Sequence, residues 1–321
     1  MHSPSGLIER PDLQTGICTI FEGDYHLGLA AFINSLVGAG YTGNIWAGFR
    51  GKLPPWIDQL TPVEGEAITY WVGSKIKLVF IPIETSLHLA NYKPRFMLEL
   101  FRSHARRYDY LWYFDPDILL RCKWTFFSNW QHYGIALCEE IISYHLSEND
   151  PLRRQWVDVG AQMGLEKPRL LDRYFNSGML GVSPEHISVL QLWMEILDQI
   201  GRLGVDLKEL QPGNREAPFH AVDQDALNMA VMYVEHTLST MGPEAMGFIF
   251  GGFTMYHAVG AKPWRASFLR RAIAAVPPTA AEKFFFRQVS WPIRAYSPLH
   301  VHAKRLACAV AAFIGRFYHR S

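Results

Sequence analysis

The apolar run Leu111-Trp112-Tyr113-Phe114 stops on Asp115-Pro116-Asp117 and resumes as Ile118-Leu119-Leu120. This pattern limits the folds open to the chain. It reads as a buried strand, and bare carboxylates are costly at the end of such a strand unless something neutralises them. A divalent cation is one answer. Mg2+ and Mn2+ favour oxygen ligands and are held by one or two carboxylates together with substrate phosphates. A turn of two solvated aspartates around a proline would give the same local sequence, so the other segments decide.

Strand-like and helix-like segments alternate along the chain. Ile17-Cys18-Thr19-Ile20-Phe21 reads as a buried first strand, closed by a Gly23-Asp24 turn and followed by an apolar helix over residues 27–37. Residues 44–49 and 78–83 read as two more strands. Pro94 fits the first turn of an amphipathic helix that continues over residues 95–107. Residues 111–114 form the strand leading to the aspartate pair, and residues 134–138 another. Residues 147–168 are polar and mixed and read as a surface excursion; residues 174–182 return to strand, interrupted by small polar residues. Helices follow over residues 184–203, with Ser183 as N-cap, and 223–233, opened by acids. Such alternation predicts an α/β fold with a mostly parallel central sheet flanked by helices.

At 321 residues, 49% of them hydrophobic, the chain can bury a large core. Its formal net charge of +1 gives no general attraction to nucleic acid. Cys18, Cys122, Cys138 and Cys308 form no C-x-x-C pair and no Cys/His zinc spacing, which suits a reducing compartment. Met1-His2-Ser3-Pro4 lacks the basic-then-apolar pattern of a signal peptide. The best apolar run, residues 306–315, is about half the length a bilayer span needs. The expected location is cytoplasmic.

In an open α/β sheet, ligands bind beyond the carboxyl ends of the strands. Five polar clusters fit that position. They are Glu22…Tyr25, Asp115-Pro116-Asp117, Phe175-Asn176-Ser177-Gly178, Asp223-Gln224-Asp225-Ala226-Leu227-Asn228 and His257…Gly260…Lys262-Pro263-Trp264. In this order the chain resembles glycosyltransferase family 8, which includes bacterial lipopolysaccharide galactosyl- and glucosyltransferases and glycogenin. The resemblance spans roughly residues 17–264.

The resemblance implies a GT-A nucleotide-diphospho-sugar transferase fold and a metal-dependent, retaining transfer of a hexose. The donor would be a nucleotide-sugar, a UDP-sugar first, and the acceptor a saccharide or glycolipid. Asp115, Asp117 and His257 would hold Mn2+ (or Mg2+). Phe21, Glu22, Tyr25, Arg95, Asp115, Gly260 and Lys262 would bind the donor nucleotide, and Asn176, Asp223 and Gln224 would face the donor sugar. In that setting Tyr25 stacks on the base and Glu22, where the family has Asp, meets the base edge. Lys262 sets an ammonium against the β-phosphate, and Gly260 lets backbone approach. Gln224 is a poor nucleophile, but its oxygen could stabilise an oxocarbenium-like transition state, which favours front-side attack over a covalent intermediate.

Residues 1–265 would then be the catalytic domain and 266–321 a basic helical extension, in which Glu282 is the only acid. There Leu306, Val310, Phe313 and Phe317 share one helical face, with Lys304, Arg305, Arg316 and Arg320 at its ends. Peripheral contact with anionic lipid, packing on the catalytic domain and a homo-oligomer interface all fit that face. Two alternatives lie outside the transferase class. An inactive nucleotide-sugar-binding relative would not need Asp115, Asp117, His257 and Lys262 intact. A sugar-nucleotide pyrophosphorylase would carry a Gly-rich basic loop after its first strand, which residues 21–25 lack.

Overall fold

A computed structural model describes residues 13–141, 146–166, 168–211 and 216–318; the first four residues and Arg320, discussed above, lie outside these. The first half of the chain runs β1 (Thr15–Glu22), α1 (His26–Ala39), β2 (Gly43–Arg50), β3 (Thr61–Pro62), β4 (Thr69–Val72), β5 (Ile76–Pro82), α2 (Leu89–Arg102), β6 (Tyr110–Phe114), β7 (Ile118–Leu120), α3 (Trp124–Trp130) and β8 (Ile135–Glu139). The second half runs α4 (Pro151–Gln162), β9 (Phe175–Val182), α5 (Ile187–Arg202), α6 (Val222–Tyr233), β10 (Leu238–Met241), β11 (Met255–His257), α7 (Phe268–Ile273), α8 (Ala280–Gln288) and α9 (Pro298–Ile314).

Nine strands form one sheet in the order β10-β8-β9-β6-β1-β2-β5-β4-β3. The β6-β1-β2-β5 core is parallel, and β9 runs antiparallel between β6 and β8. Successive residues of β6 serve opposite layers, as a strand's two-residue period requires. Leu111 and Tyr113 join the cluster under α2, α5 and α6, while Tyr110, Trp112 and Phe114 join the cluster under α1 and α3. All five are buried, which explains the unbroken apolar run in the sequence.

Because β9 is reversed, its first residues lie at the carboxyl edge of β6 and β8. Phe114 pairs with Met179, Glu139 pairs with Phe175, and the Asp115 N–H donates to the Gly178 carbonyl at 2.7 Å. The segment expected as an interrupted strand is thus one continuous strand that carries its polar residues to the site.

Three expectations need correction. Residues 147–168 do not simply wander over the surface: they contain α4, capped by the Asp150 carboxylate and opened by Pro151, with Trp156 and Arg153 buried. The α2 helix starts at Leu89, before Pro94, so the proline lies inside it. The first turn is held from outside: the His88 N–H and the Asn91 side chain both donate to the Leu207 carbonyl, at 2.9 Å each. That anchoring overrides the proline's local preference. Ser183 precedes a 3-10 turn instead of capping α5, and its hydroxyl meets the His186 ring at 2.9 Å.

The chain after residue 265 packs on the rest of the fold. Ala266, Phe268, Phe285, Phe286, Val301, Cys308 and Ala311 share a buried cluster with Ala31 of α1 and Leu119 of β7. Asn34 of α1 donates to the Ile293 carbonyl at 2.8 Å and accepts from the Ile293 N–H at 2.9 Å. Among the described residues, no helix is long and apolar enough to cross a membrane.

Candidate active site and metal centre

The turn after β6 carries Asp115 and Asp117, and β7 then pairs antiparallel with β11, setting His257 opposite Ile118. The Ala258 N–H donates to the Asp117 carbonyl at 3.2 Å and fastens the two segments together. One ligand atom from each of Asp115, Asp117 and His257 lies within 4.8 Å of the other two. His257 Nε2 lies 3.3 Å from Asp117 Oδ1 and 3.7 Å from Asp115 Oδ2.

The outer oxygens are already engaged. Asp115 Oδ1 accepts from the Tyr113 hydroxyl at 2.8 Å and lies 3.2 Å from Lys93 Nζ. Asp117 Oδ2 accepts from Lys262 Nζ at 2.6 Å. The oxygens nearest the His257 ring are Asp117 Oδ1 and Asp115 Oδ2, the latter also accepting from Lys93 Nζ at 3.4 Å, and with His257 Nε2 these make a set of two oxygens and one nitrogen. Such donors fit a divalent cation of the Mg2+/Mn2+ type. Gly178 supplies the room: a Cβ there would stand 2.6 Å from the His257 ring and 2.8 Å from Asp115 Oδ2. His257 Nδ1 is buried without a protein partner among the described residues, so packing against Phe248, at 5.8 Å, holds the ring.

Burial opposes the charge on Asp117, and the nearby His257 and Lys262 outweigh it, so its carboxyl is held well below the usual carboxylate range. Burial likewise works against Lys93, but Asp115 and Asp223 more than offset it and keep the ammonium charged. Lys93 lies 3.0 Å from Asp223 Oδ2, which also accepts from the Ser177 hydroxyl at 2.6 Å. One buried lysine thus bridges the metal-side and α6-side carboxylates. Asp223 is the second residue of α6 rather than its cap, and its side chain turns toward Lys93 and Ser177.

These groups line a cleft of about 560 Å³. Phe21, Glu22, Tyr25, Asp115, Asp117, Asn176, Asp223, Gln224, His257, Gly260 and Lys262 all line it. Gly260 holds φ +73, a conformation suited to glycine. Tyr25 lies edge-on to Trp264 at 5.3 Å, with Lys262 Nζ 5.6 Å from its ring. Gln224 Oε1 accepts from the Ser177 N–H at 3.1 Å, which fixes its amide. Asn176 is tied into the protein by two bonds: its oxygen accepts from Gly178 N–H at 2.8 Å and its amide donates to Glu140 at 2.5 Å. Glu140 is therefore a carboxylate on that wall which the sequence reading missed.

Arg95 lies elsewhere. It points away from the cleft toward Asp198 on α5, at 3.7 Å with both side chains more than 40% exposed. The cation that α2 turns into the site is Lys93. Periodicity carries the signal: Leu89, Tyr92, Lys93, Phe96, Met97 and Leu100 form the buried stripe of α2, and Arg95 falls off it.

A mostly parallel sheet, a carboxylate turn at its carboxyl edge and a two-stranded ribbon bringing a histidine across define a glycosyltransferase fold of the GT-A type. Among solved structures the chain is similar to WbbM, a bifunctional glycosyltransferase in its apo form. The TM-score is 0.55 at 14% identity, over 94% of this chain and 53% of that one. The chain spans about half the length of that neighbour. No family model and no curated protein matches the chain.

Proposed function

We propose that the protein is a metal-dependent glycosyltransferase that moves a hexose from a nucleotide-sugar to a saccharide or glycolipid acceptor with retention, as the family 8 motifs suggest. The observation that carries this reading is the convergence of Asp115, Asp117 and His257 at the carboxyl edge of the sheet, beside Lys262. A divalent cation there would neutralise the donor diphosphate and the oxygen that departs with it.

The side chains supply the rest. Lys262 exchanges Asp117 for the diphosphate, and the Gly260 backbone admits it closely. Asp223 retains Oδ1 for a sugar hydroxyl while Lys93 and Ser177 fix Oδ2. Gln224, tethered through Ser177, keeps one carbonyl lone pair for the charge that develops at the anomeric carbon. An amide oxygen that already accepts a hydrogen bond is a weak nucleophile, which favours front-side attack with the leaving phosphate oxygen taking the acceptor proton. The part of the cleft lined by Glu140, Leu146, Leu152 and Leu210 would receive the acceptor.

A thermal-shift panel of UDP- and GDP-sugars tests the reading, since a ligand selective for the folded state raises the unfolding midpoint by mass action. At least one donor should raise the midpoint with Mn2+ and not with EDTA; no shift with any donor would refute it.

A further inference from the structure

Between β10 and β11 the chain leaves a turn at Pro243–Met246 and carries no polar side chain from Ala245 to Phe253. The base of this loop is tightly built. The Thr254 hydroxyl donates to the Ala245 carbonyl at 2.5 Å, the Arg121 guanidinium to the Gly252 carbonyl at 2.5 Å, and the Arg121 N–H to the Thr254 carbonyl at 2.8 Å. A Cβ on Gly252 would collide with the Glu244 carbonyl, so the loop doubles back on its own start. Gly247 and Gly251 turn it at φ +72 and +107, values that favour glycine. The tip nevertheless faces water: Phe250 is fully exposed, and Ile249 and Phe253 are each about half exposed.

The surroundings of the tip are cationic. No acid occurs between Asp117 and Glu139, or between Glu244 and Glu282, and these two segments meet at the β7–β11 ribbon. The acids that bound them are occupied elsewhere. Asp117, Glu139 and Glu282 are buried against Lys262, Arg173 and Arg271, and the Glu244 carboxylate lies back over Gly242. Arg121 is exposed, with its guanidinium 4.2 Å from the Tyr256 ring, and Lys123, two residues on, is exposed as well. Phe284 of α8 meets the same tyrosine ring at 5.6 Å, and Arg287, one turn further along α8, is exposed.

An apolar tip beside cations fits an anionic bilayer better than a protein. A stable protein interface buries about 800 Å² on each side and makes about one hydrogen bond per 100–200 Å². Three side chains on a loop without polar groups supply neither. A bilayer asks only for apolar side chains at headgroup depth and cations at the lipid phosphates. We propose that the β10–β11 loop docks the protein on anionic lipid: Ile249, Phe250 and Phe253 enter the headgroup boundary while Arg121, Lys123 and Arg287 meet the phosphates. Phe248, at the base of the loop, packs against His257 at 5.8 Å, so docking brings the mouth of the cleft close to the lipid surface. This surface uses none of the residues on the exposed face of α9, and the docking does not depend on the nucleotide-sugar reading.

Because α9 offers a second apolar face, the test reads this loop locally. A nitrobenzoxadiazole probe is attached at Phe250→Cys in the full chain, with Cys122→Ser to remove the other accessible thiol. It should brighten with mixed phosphatidylcholine–phosphatidylglycerol vesicles at low salt, dim when spin-labelled lipid is included, and lose its brightening at high salt. Pure phosphatidylcholine should brighten it far less. Ile249→Ser with Phe250→Ser should weaken binding to the anionic vesicles about ten-fold, with an unchanged unfolding midpoint. Lys123→Glu alters one exposed side chain outside the loop and should weaken the same binding, which keeps the test decisive if the double variant is unstable. A probe that stays dim with anionic vesicles, or brightens equally with pure phosphatidylcholine, overturns the proposal. So does brightening without lipid together with a doubled mass in light scattering, which would make the loop a contact between two copies of the chain.

Discussion

Tyr113 is buried in β6, and its hydroxyl donates to the outer oxygen of Asp115. Partners of this kind orient metal ligands, and their loss commonly lowers metal affinity about 10- to 100-fold. Tyr113→Phe keeps the ring and should show that loss in a Mn2+ titration followed by electron paramagnetic resonance; unchanged affinity would remove Tyr113 from the support of the site. Asp117 is 4% exposed and bonded to Lys262. Its truncation to alanine would leave the part-buried Lys262 ammonium with the Ala258 carbonyl and no carboxylate, at about 1–3 kcal/mol. Asp117→Asn is therefore the cleaner variant, expected to fold and to lose Mn2+-dependent donor binding. Gln224→Ala should lower turnover about 10- to 1000-fold, or about 1.4–4 kcal/mol, with donor affinity little changed. A covalent glycosyl adduct trapped on Gln224 would contradict the stabilising role. Glu22, Asp115 and His257 were legible because they fall at or just past strand ends, and Asp223 and Gln224 because acids open a helix there. Lys93 was not legible from the motifs because the resemblance points to Arg95 in the same helix, whereas the buried stripe of α2 carries Lys93; a tyrosine such as Tyr113 in an apolar strand reads as core, and only its hydroxyl's contact with Asp115 distinguishes it.

At the scale of elements, α6 contains a second carboxylate with its own pH signature. Asp225 is buried among the Tyr174 hydroxyl, at 2.6 Å, and the Ala221 N–H, at 2.8 Å. Burial is the largest influence and pushes its pKa up to about 7. A folded-state pKa above the unfolded one means that the folded chain holds the extra proton. The associated stability is fully present below about pH 4 and is lost as pH rises through about 7. Asp117 and Asp223, whose carboxyls are shifted down, act in the opposite sense and in a lower window, losing their contribution as the solution is acidified. Denaturant melts from pH 5 to 7.5 should therefore fall less steeply in Asp225→Asn than in the wild type, and equal slopes would place the ionisation elsewhere. The α4 helix shows what the sequence carried unread. Asp150-Pro151 is an ordinary cap and first-turn pair, yet the polar exposed face of α4 hid Trp156, which folds under it beside Tyr174 and Phe219.

At the scale of the whole molecule, the C-terminal helices are packed against α1 and β7. Val301, Cys308 and Ala311 of α9 close a cluster that reaches α1 and β7. Removing α9 would expose Phe268 and Phe286 and should lower the unfolding midpoint, whereas Asp115, Asp117 and His257 belong to other elements. Two of the basic residues expected at a lipid surface are used internally: Lys304 donates to the Ala266 carbonyl at 2.9 Å and Arg305 to the Phe286 carbonyl at 2.8 Å. The face opposite the cluster leaves Leu306, Val310, Phe313 and Phe317 exposed, with Arg316 beside them. Phe313→Ser with Phe317→Ser should fold normally and lose cosedimentation with anionic vesicles at low salt; wild-type protein that ignores such vesicles would rule out lipid contact. Sequence periodicity located this face, but the internal ties could be found only in three dimensions. The central claim is metal-dependent transfer from a nucleotide-sugar, and nucleoside diphosphate release from a panel of UDP- and GDP-hexoses measures it most directly. Release should occur with at least one donor in Mn2+, stop in EDTA and return when Mn2+ is restored. No release from any donor, or an equal rate in EDTA, would contradict it.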